Sequence, residues 1–99
     1  PPLRRPADPP SALAALGWRY HHLGIPYVTP HPGETHIPHL GVHIHGFDTS
    51  PFGIEWIRYD PQCAIPEIVR ALPHIAFVVD NLDAALAGHH ILIHPNAPS

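Results

Sequence analysis

Three side chains of this sequence could together hold a divalent metal ion: His22, Glu55 and His74. Each lies in a segment predicted to be a β-strand, among apolar neighbours. Two imidazoles and one carboxylate suit Zn²⁺, Fe²⁺, Mn²⁺ or Ni²⁺ and leave coordination positions open for water or substrate. The sequence therefore nominates these residues as metal ligands, and Glu55 also as a candidate catalytic group.

Each of these side chains also has a purely structural interpretation. A strand histidine is often half-buried and hydrogen-bonded to the backbone, and Glu55 could pair with Arg58 or Arg70 or lie on an exposed face. Burying an unpaired carboxylate costs several kcal/mol, so a buried Glu55 must be paired or coordinated. The residue pattern by itself leaves both interpretations open.

A second candidate is the His-X-His pair His43 and His45, whose spacing on one strand face can bind a metal by itself. Contact with substrate and simple exposure to solvent are the alternatives. We expect His21 to point away from His22 and to be structural. The other histidines lie in loops or at element ends, where imidazole can bind metals adventitiously. They are His31, His36, His39, His89, His90 and His94.

The strands that must position these side chains are predicted from alternation. Between residues 40 and 45 apolar and polar side chains alternate, which puts His43 and His45 on one face. Residues 48–53 have the composition of a turn. A second alternating strand follows at 54–59, so these segments predict a hairpin.

Capping and turn residues predict the rest of the secondary structure. Ser11 and Gly17 can begin and end a short helical turn. The segment 74–79 is apolar on both faces, so we expect it to be a central strand. The other predictions are a strand at 20–28, a Pro-rich loop at 29–38, a short helix at 66–72, a helix at 80–88 and a last strand at 90–93.

The segments that carry the two candidate histidines match each other. His22-Leu-Gly-Ile-Pro-Tyr27 aligns with His74-Ile-Ala-Phe-Val-Val79, which indicates an internal repeat. Residues 73–86, Pro-His-Ile-Ala-Phe-Val-Val-Asp-Asn-Leu-Asp-Ala-Ala-Leu, resemble a module opening in the glyoxalase/bleomycin-resistance/dioxygenase superfamily. Residues 21–25 are similar to the opening of a first module. Residues 52–56 resemble the last strand of that module, where the family often places a ligand glutamate.

This resemblance implies an α+β fold of paired βαβββ modules whose sheets curl around a cleft. In the family a divalent metal is held there by one histidine and one glutamate from each module, and it chelates two neighbouring oxygens of a substrate. By position, His22, Glu55 and His74 would be three of the four ligands. The implied layout is a Pro-rich arm with a short helical turn at 1–19 and one domain at 20–99.

Within that domain, residues 20–60 would form the first module and 73–99 the start of the second. The sequence departs from the family pattern in three places. Pro-rich loop replaces the helix of the first module, Pro26 interrupts its first strand, and the sequence given ends at Ser99, before the strands that would supply the fourth ligand. We therefore expect further residues or a second copy to complete the sheet, and a homodimer as the assembly.

Composition argues against several classes of partner. The net charge is −3 and all five basic residues are arginine, so no basic stripe is present to bind nucleic acid. No apolar run approaches the roughly 20 residues of a membrane span. The N-terminal residues do not resemble a secretory signal, so we expect a cytoplasmic protein. Cys63, the single cysteine, cannot form an intrachain disulfide.

Two functions follow as hypotheses. The first is a metal-dependent lyase, isomerase or dioxygenase acting on a small oxygenated substrate. The second is a non-catalytic binder of the bleomycin-resistance type, in which an aromatic-lined cleft sequesters a small molecule without metal. Aromatic residues that could line such a cleft are Trp18, Tyr27, Phe47, Phe52, Trp56 and Tyr59.

Overall fold

The computed structural model describes residues 5–94. Its first element is a short helix, α1 (Ala12–Leu16). The Ser11 side chain accepts a hydrogen bond from the backbone N–H of Ala14, and Gly17 ends the helix with a left-handed φ of 68°. Both end residues act as the sequence predicts, because a serine oxygen satisfies a free N–H and glycine adopts positive φ without strain.

Five strands form one mixed sheet in the order β2-β3-β4-β1-β5. β1 pairs parallel with β4, and all other neighbouring strands are antiparallel. With the short helices, this arrangement is an α+β fold. The strands are β1 (Arg19–Pro26), β2 (Thr35–Ile37), β3 (Val42–His45), β4 (Ile54–Tyr59) and β5 (His74–Val78).

The predicted hairpin is the pairing of β3 with β4. A 3-10 turn at Phe47–Thr49 joins the two strands. Ile44 is in register with Ile57, and Val42 with Tyr59, so apolar side chains from both strands share one face. Val42 and Ile57 are the only buried apolar side chains in residues 5–94. The core of the described region is therefore centred on this hairpin.

Two short helices flank β5: α2 (Glu67–Ala71) and α3 (Leu82–Leu86). The Asn81 side chain caps α3 by accepting a hydrogen bond from the backbone N–H of Ala84. Both helices lie where the sequence predicts them. Neither contributes a buried residue.

Three predictions of secondary structure are wrong. The predicted loop at 29–38 contains β2, a short strand that pairs with β3. β5 is an edge strand rather than the central one, since it pairs only with β1, and its apolar side chains are not buried on both faces; Ile75 is 58% exposed. Residues 90–93, predicted as a strand, have irregular structure.

None of the helices in residues 5–94 has the length and apolar character of a membrane span.

Candidate functional site

Glu55, Gly24 and His74 lie side by side on three adjacent strands. Gly24 of β1 is in register with Glu55 of β4 on one side and with His74 of β5 on the other. Residues in register across a sheet point to the same face, and His22, two residues before Gly24, shares it. The strand order therefore gathers the three predicted ligand residues on one face.

His22 is the centre of this group. Its Nε2 atom lies 3.3 Å from Nε2 of His74 and 3.9 Å from Oε1 of Glu55. The side chains of His22 and Glu55 are 17% and 15% exposed, so this pair is largely shielded from water. We refer to His22, Glu55 and His74 as the His22 site.

Gly24 makes room for the ring of His74. A Cβ atom at position 24 would overlap the imidazole, with Nδ1 at 2.8 Å and other ring atoms closer still. The His74 ring therefore lies directly over the backbone of β1, between β1 and β5. Glycine is needed here for space, since any side chain would displace the ring.

His21 contacts the His22 site, and the prediction that it points away from His22 is wrong. Its Nδ1 lies 2.8 Å from Nδ1 of His22, and its ring stacks on Phe47 with the centroids 4.9 Å apart. The cause is an irregularity in β1, where the pairing with β5 shifts register between Tyr20 and His22. A β-bulge breaks the alternation of side chains, so neighbouring residues can point to the same side.

The alternative partners of Glu55 are engaged elsewhere. Arg58 donates two hydrogen bonds of 2.8 Å to the carboxylate of Glu34. Arg70 donates to the backbone oxygen of Ile65 at 3.0 Å. The side chain that Glu55 approaches is that of His22, at 3.9 Å.

Burial controls the ionisation of the site. It lowers the pKa of His22, which the adjacent His74 and His21 rings lower further, and it lowers the pKa of His74. Burial also raises the pKa of Glu55, an effect that His21 partly offsets. Both imidazoles are therefore neutral at pH 7, the state in which a ring nitrogen can bind a metal.

The donor atoms suit a divalent metal, but they meet at His22 rather than around a common point. The ligand atoms of the His22 site do not all lie within 4.8 Å of one another. In residues 5–94 a different group of three metal-ligating side chains meets that limit: His36, His43 and Asp60. One ion held by the whole His22 site would require a rotation of the Glu55 or His74 side chain. Such a rotation is a side-chain rearrangement and leaves the strand register unchanged.

A cavity of about 290 Å³ opens beside Glu55, lined also by Thr35, Ile44 and Phe47 among others. The histidines of the His22 site are not part of its lining. The predicted aromatic residues do not gather around it. Tyr27 and Trp56 pack against His45 on the opposite face of the sheet.

The two histidines of the His-X-His pair have different partners. The ring of His45 stacks on His31, with the centroids 4.0 Å apart. His43 stacks on His36 and contacts Asp60 through Nε2 at 2.9 Å. The two histidines share one face of β3 as predicted, but His43 meets two residues that the sequence did not nominate as its partners. There is little reason from sequence to expect His36 and Asp60 at a common site, because His36 lies in a segment predicted as loop and Asp60 lies just beyond a strand.

Comparisons with protein-family models, with curated proteins and with solved structures found no match.

Proposed function

We propose that this protein is a metal-dependent enzyme of the glyoxalase/dioxygenase type, with His22, Glu55 and His74 as metal ligands. The observation that carries the proposal is the approach of His74 and Glu55 to His22 from the two strands flanking β1. The sequence resemblance nominates the same three residues.

The sheet agrees with a first module followed by the start of a second. Strands β1 to β4 form one contiguous unit, and β5, which begins with His74, pairs next to β1. The two strands that carry the repeated histidines are thus neighbours. Irregular structure at residues 27–34, between β1 and β2, takes the place of the module's helix, so the proposed module is a shortened one.

Each side chain of the site has a proposed role. A bound divalent ion would supply a Lewis acid that polarises a substrate oxygen. His21 holds the ring of His22 through its Nδ1 contact, the kind of outer contact that orients ligand imidazoles. Burial raises the pKa of Glu55, which makes its carboxylate a stronger base and suits it to accept a substrate proton. The proposed substrate is a small molecule with two neighbouring oxygens.

One observation favours the alternative, a metal-free binder. The cavity beside Glu55 contains Phe47 and Ile44 in its lining but neither ligand histidine. A small molecule seated there would contact these apolar side chains and two carboxylates, those of Asp48 and Glu55. This alternative predicts binding that a chelator does not weaken.

The proposal includes a homodimer. β5 ends the sheet and exposes Ile75 and Phe77, so a second copy could add strands at this edge. In this arrangement the second copy would supply the fourth ligand that the resemblance implies.

Metal content tests the proposed site. The protein would be stripped with a chelator, loaded with Zn²⁺, Mn²⁺, Fe²⁺ or Ni²⁺ in turn, desalted and analysed for bound metal. The double variant H22Q/H74Q is expected to hold one equivalent less than the wild type. The matched control is H89Q/H90Q, which removes two exposed histidines. Far-UV circular dichroism would verify that each variant is folded.

Equal metal content in the wild type and folded H22Q/H74Q would contradict the proposal, as would an equal loss in H89Q/H90Q. Turnover is the second measurement, with small α-hydroxy ketones and catechols as substrates. Glu55→Gln is expected to lower kcat by about 10²-fold or more if Glu55 accepts the proton. Metal-independent binding without turnover would support the binder instead.

A further inference from the structure

We propose a second metal site, formed by His36, His43 and Asp60 on the face of the sheet opposite the His22 site. His36 of β2 and His43 of β3 are directly in register. Asp60 follows the last residue of β4. Because side chains alternate along a strand, His43 lies on the face opposite Ile44, whose partner Ile57 shares its face with Glu55.

The three side chains already converge without rearrangement. Nε2 of His43 lies 2.9 Å from Oδ1 of Asp60, and Nε2 of His36 lies 3.6 Å from Oδ2. All three ligand atoms are within 4.8 Å of one another. The imidazole rings stack in parallel, with centroids 4.2 Å apart and planes 6° apart, so their Nε2 atoms point the same way toward one carboxylate.

A carboxylate also lies on the other side of the His43 ring. Its Nδ1 faces Oε1 of Glu34 at 4.0 Å, on the side of the ring away from Asp60. Glu34 is itself fixed by two hydrogen bonds from Arg58 and by one from the Tyr27 hydroxyl. The 4.0 Å separation is beyond hydrogen-bond range, so Glu34 lies near the second ring nitrogen of His43 without a direct hydrogen bond to it.

The donor set selects the class of ion. Two imidazole nitrogens and one carboxylate oxygen suit Zn²⁺ and similar transition-metal ions, with one position left for water. Mg²⁺ and Ca²⁺ prefer oxygen donors and are not expected to bind. A simple ion pair is the competing explanation for the His43–Asp60 contact. An ion pair between His43 and Asp60 alone would not explain why His36 faces the same carboxylate.

The consequence of binding would be structural. β2 has three residues and lies at one edge of the sheet, where short strands are held by few hydrogen bonds. One ion would connect β2 to β3 and to the segment after β4. Because this ion would bind the folded chain more tightly than the unfolded chain, we expect it to raise the free energy of unfolding.

Co²⁺ absorption spectroscopy and zinc titration test this site in the full chain. The substitution is His36→Gln, because this side chain is 47% exposed and its loss should not disturb folding. Compared with the wild type, H36Q is expected to bind one equivalent less Zn²⁺. Its melting temperature should also respond less to Zn²⁺. His89→Gln, at another exposed histidine, is the matched control and should behave as the wild type.

The test is independent of the proposed function when repeated in the H22Q/H74Q background. One equivalent of Zn²⁺ should remain there and disappear on adding H36Q or Asp60→Asn. Unchanged stoichiometry in H36Q would overturn the second site and leave the His22 site untouched. An equal loss in H89Q would also overturn it, since the binding would then be adventitious.

Discussion

Gly24 decides whether the two candidate histidine ligands can meet. The ring of His74 occupies the space that a side chain at position 24 would need. We expect Gly24→Ala to push this ring away from His22. Metal affinity should fall by about 10- to 100-fold, as when an orienting contact is lost, and the free energy of unfolding by about 1–3 kcal/mol from overpacking. Zinc titration and urea denaturation would measure the two effects.

Gly33→Ala is the control for this prediction. A Cβ at position 33 would lie 3.4 Å from the ring of His31, which is ordinary contact. This variant should keep the metal affinity of the wild type. If Gly24→Ala binds metal as tightly as Gly33→Ala, the His74 ring is not held where the structure has it.

At the residue level, residue type and the internal repeat nominated His22, Glu55 and His74 as ligands, and the sheet gathers these three side chains on one face. It could not find His21, because the bulge in β1 depends on how that strand pairs with β5. It also could not find the contact between His36 and Asp60. These residues meet only after three strands are aligned, and no local pattern reports that alignment.

Among the elements, β2 depends on Glu34, the residue just before it. Arg58 of β4 donates two hydrogen bonds to this carboxylate and lowers its pKa to about 2 from the ordinary 4.5. Because the folded pKa is the lower one, the carboxylate stabilises the fold above pH 4.5, and this contribution is lost as pH falls through about 2. We expect Glu34→Gln to be less stable than the wild type at pH 7, with the difference shrinking between pH 4.5 and 2.

Urea denaturation at a series of pH values would measure this difference. The control is Glu67→Gln, which removes an exposed carboxylate at the start of α2. Its difference from the wild type should vary much less over the same range. A Glu34→Gln difference that stays constant down to pH 2 would rule out the Glu34–Arg58 pair as an anchor of β2.

At the level of elements, local sequence signals predicted the helices and strands that depend only on neighbouring residues. The caps of α1 and α3 and the alternation in β3 and β4 identified those elements from sequence. β2 was missed because prolines surround it and because its pairing with β3 is a tertiary effect. β5 was placed at the centre of the sheet because apolar residues on both faces usually mean burial on both faces.

At the scale of the whole molecule, the described residues leave large apolar side chains exposed at one edge of the sheet. Ile75 and Phe77 of β5 are 58% and 38% exposed. An exposed apolar edge strand is a ready site for pairing with another chain.

This surface leads to a prediction about assembly. A symmetric pairing of two β5 edges would extend the sheet and cover Ile75 in both copies. We expect the wild type to sediment as a dimer at micromolar concentrations, and Ile75→Lys as a monomer, because a charge at a paired edge strand opposes association. Ile68→Lys is the matched control, since Ile68 of α2 is 57% exposed, close to the 58% of Ile75, but lies away from the edge. A wild type that remains monomeric at these concentrations, or dimers that dissociate equally in both variants, would show that β5 is not the interface.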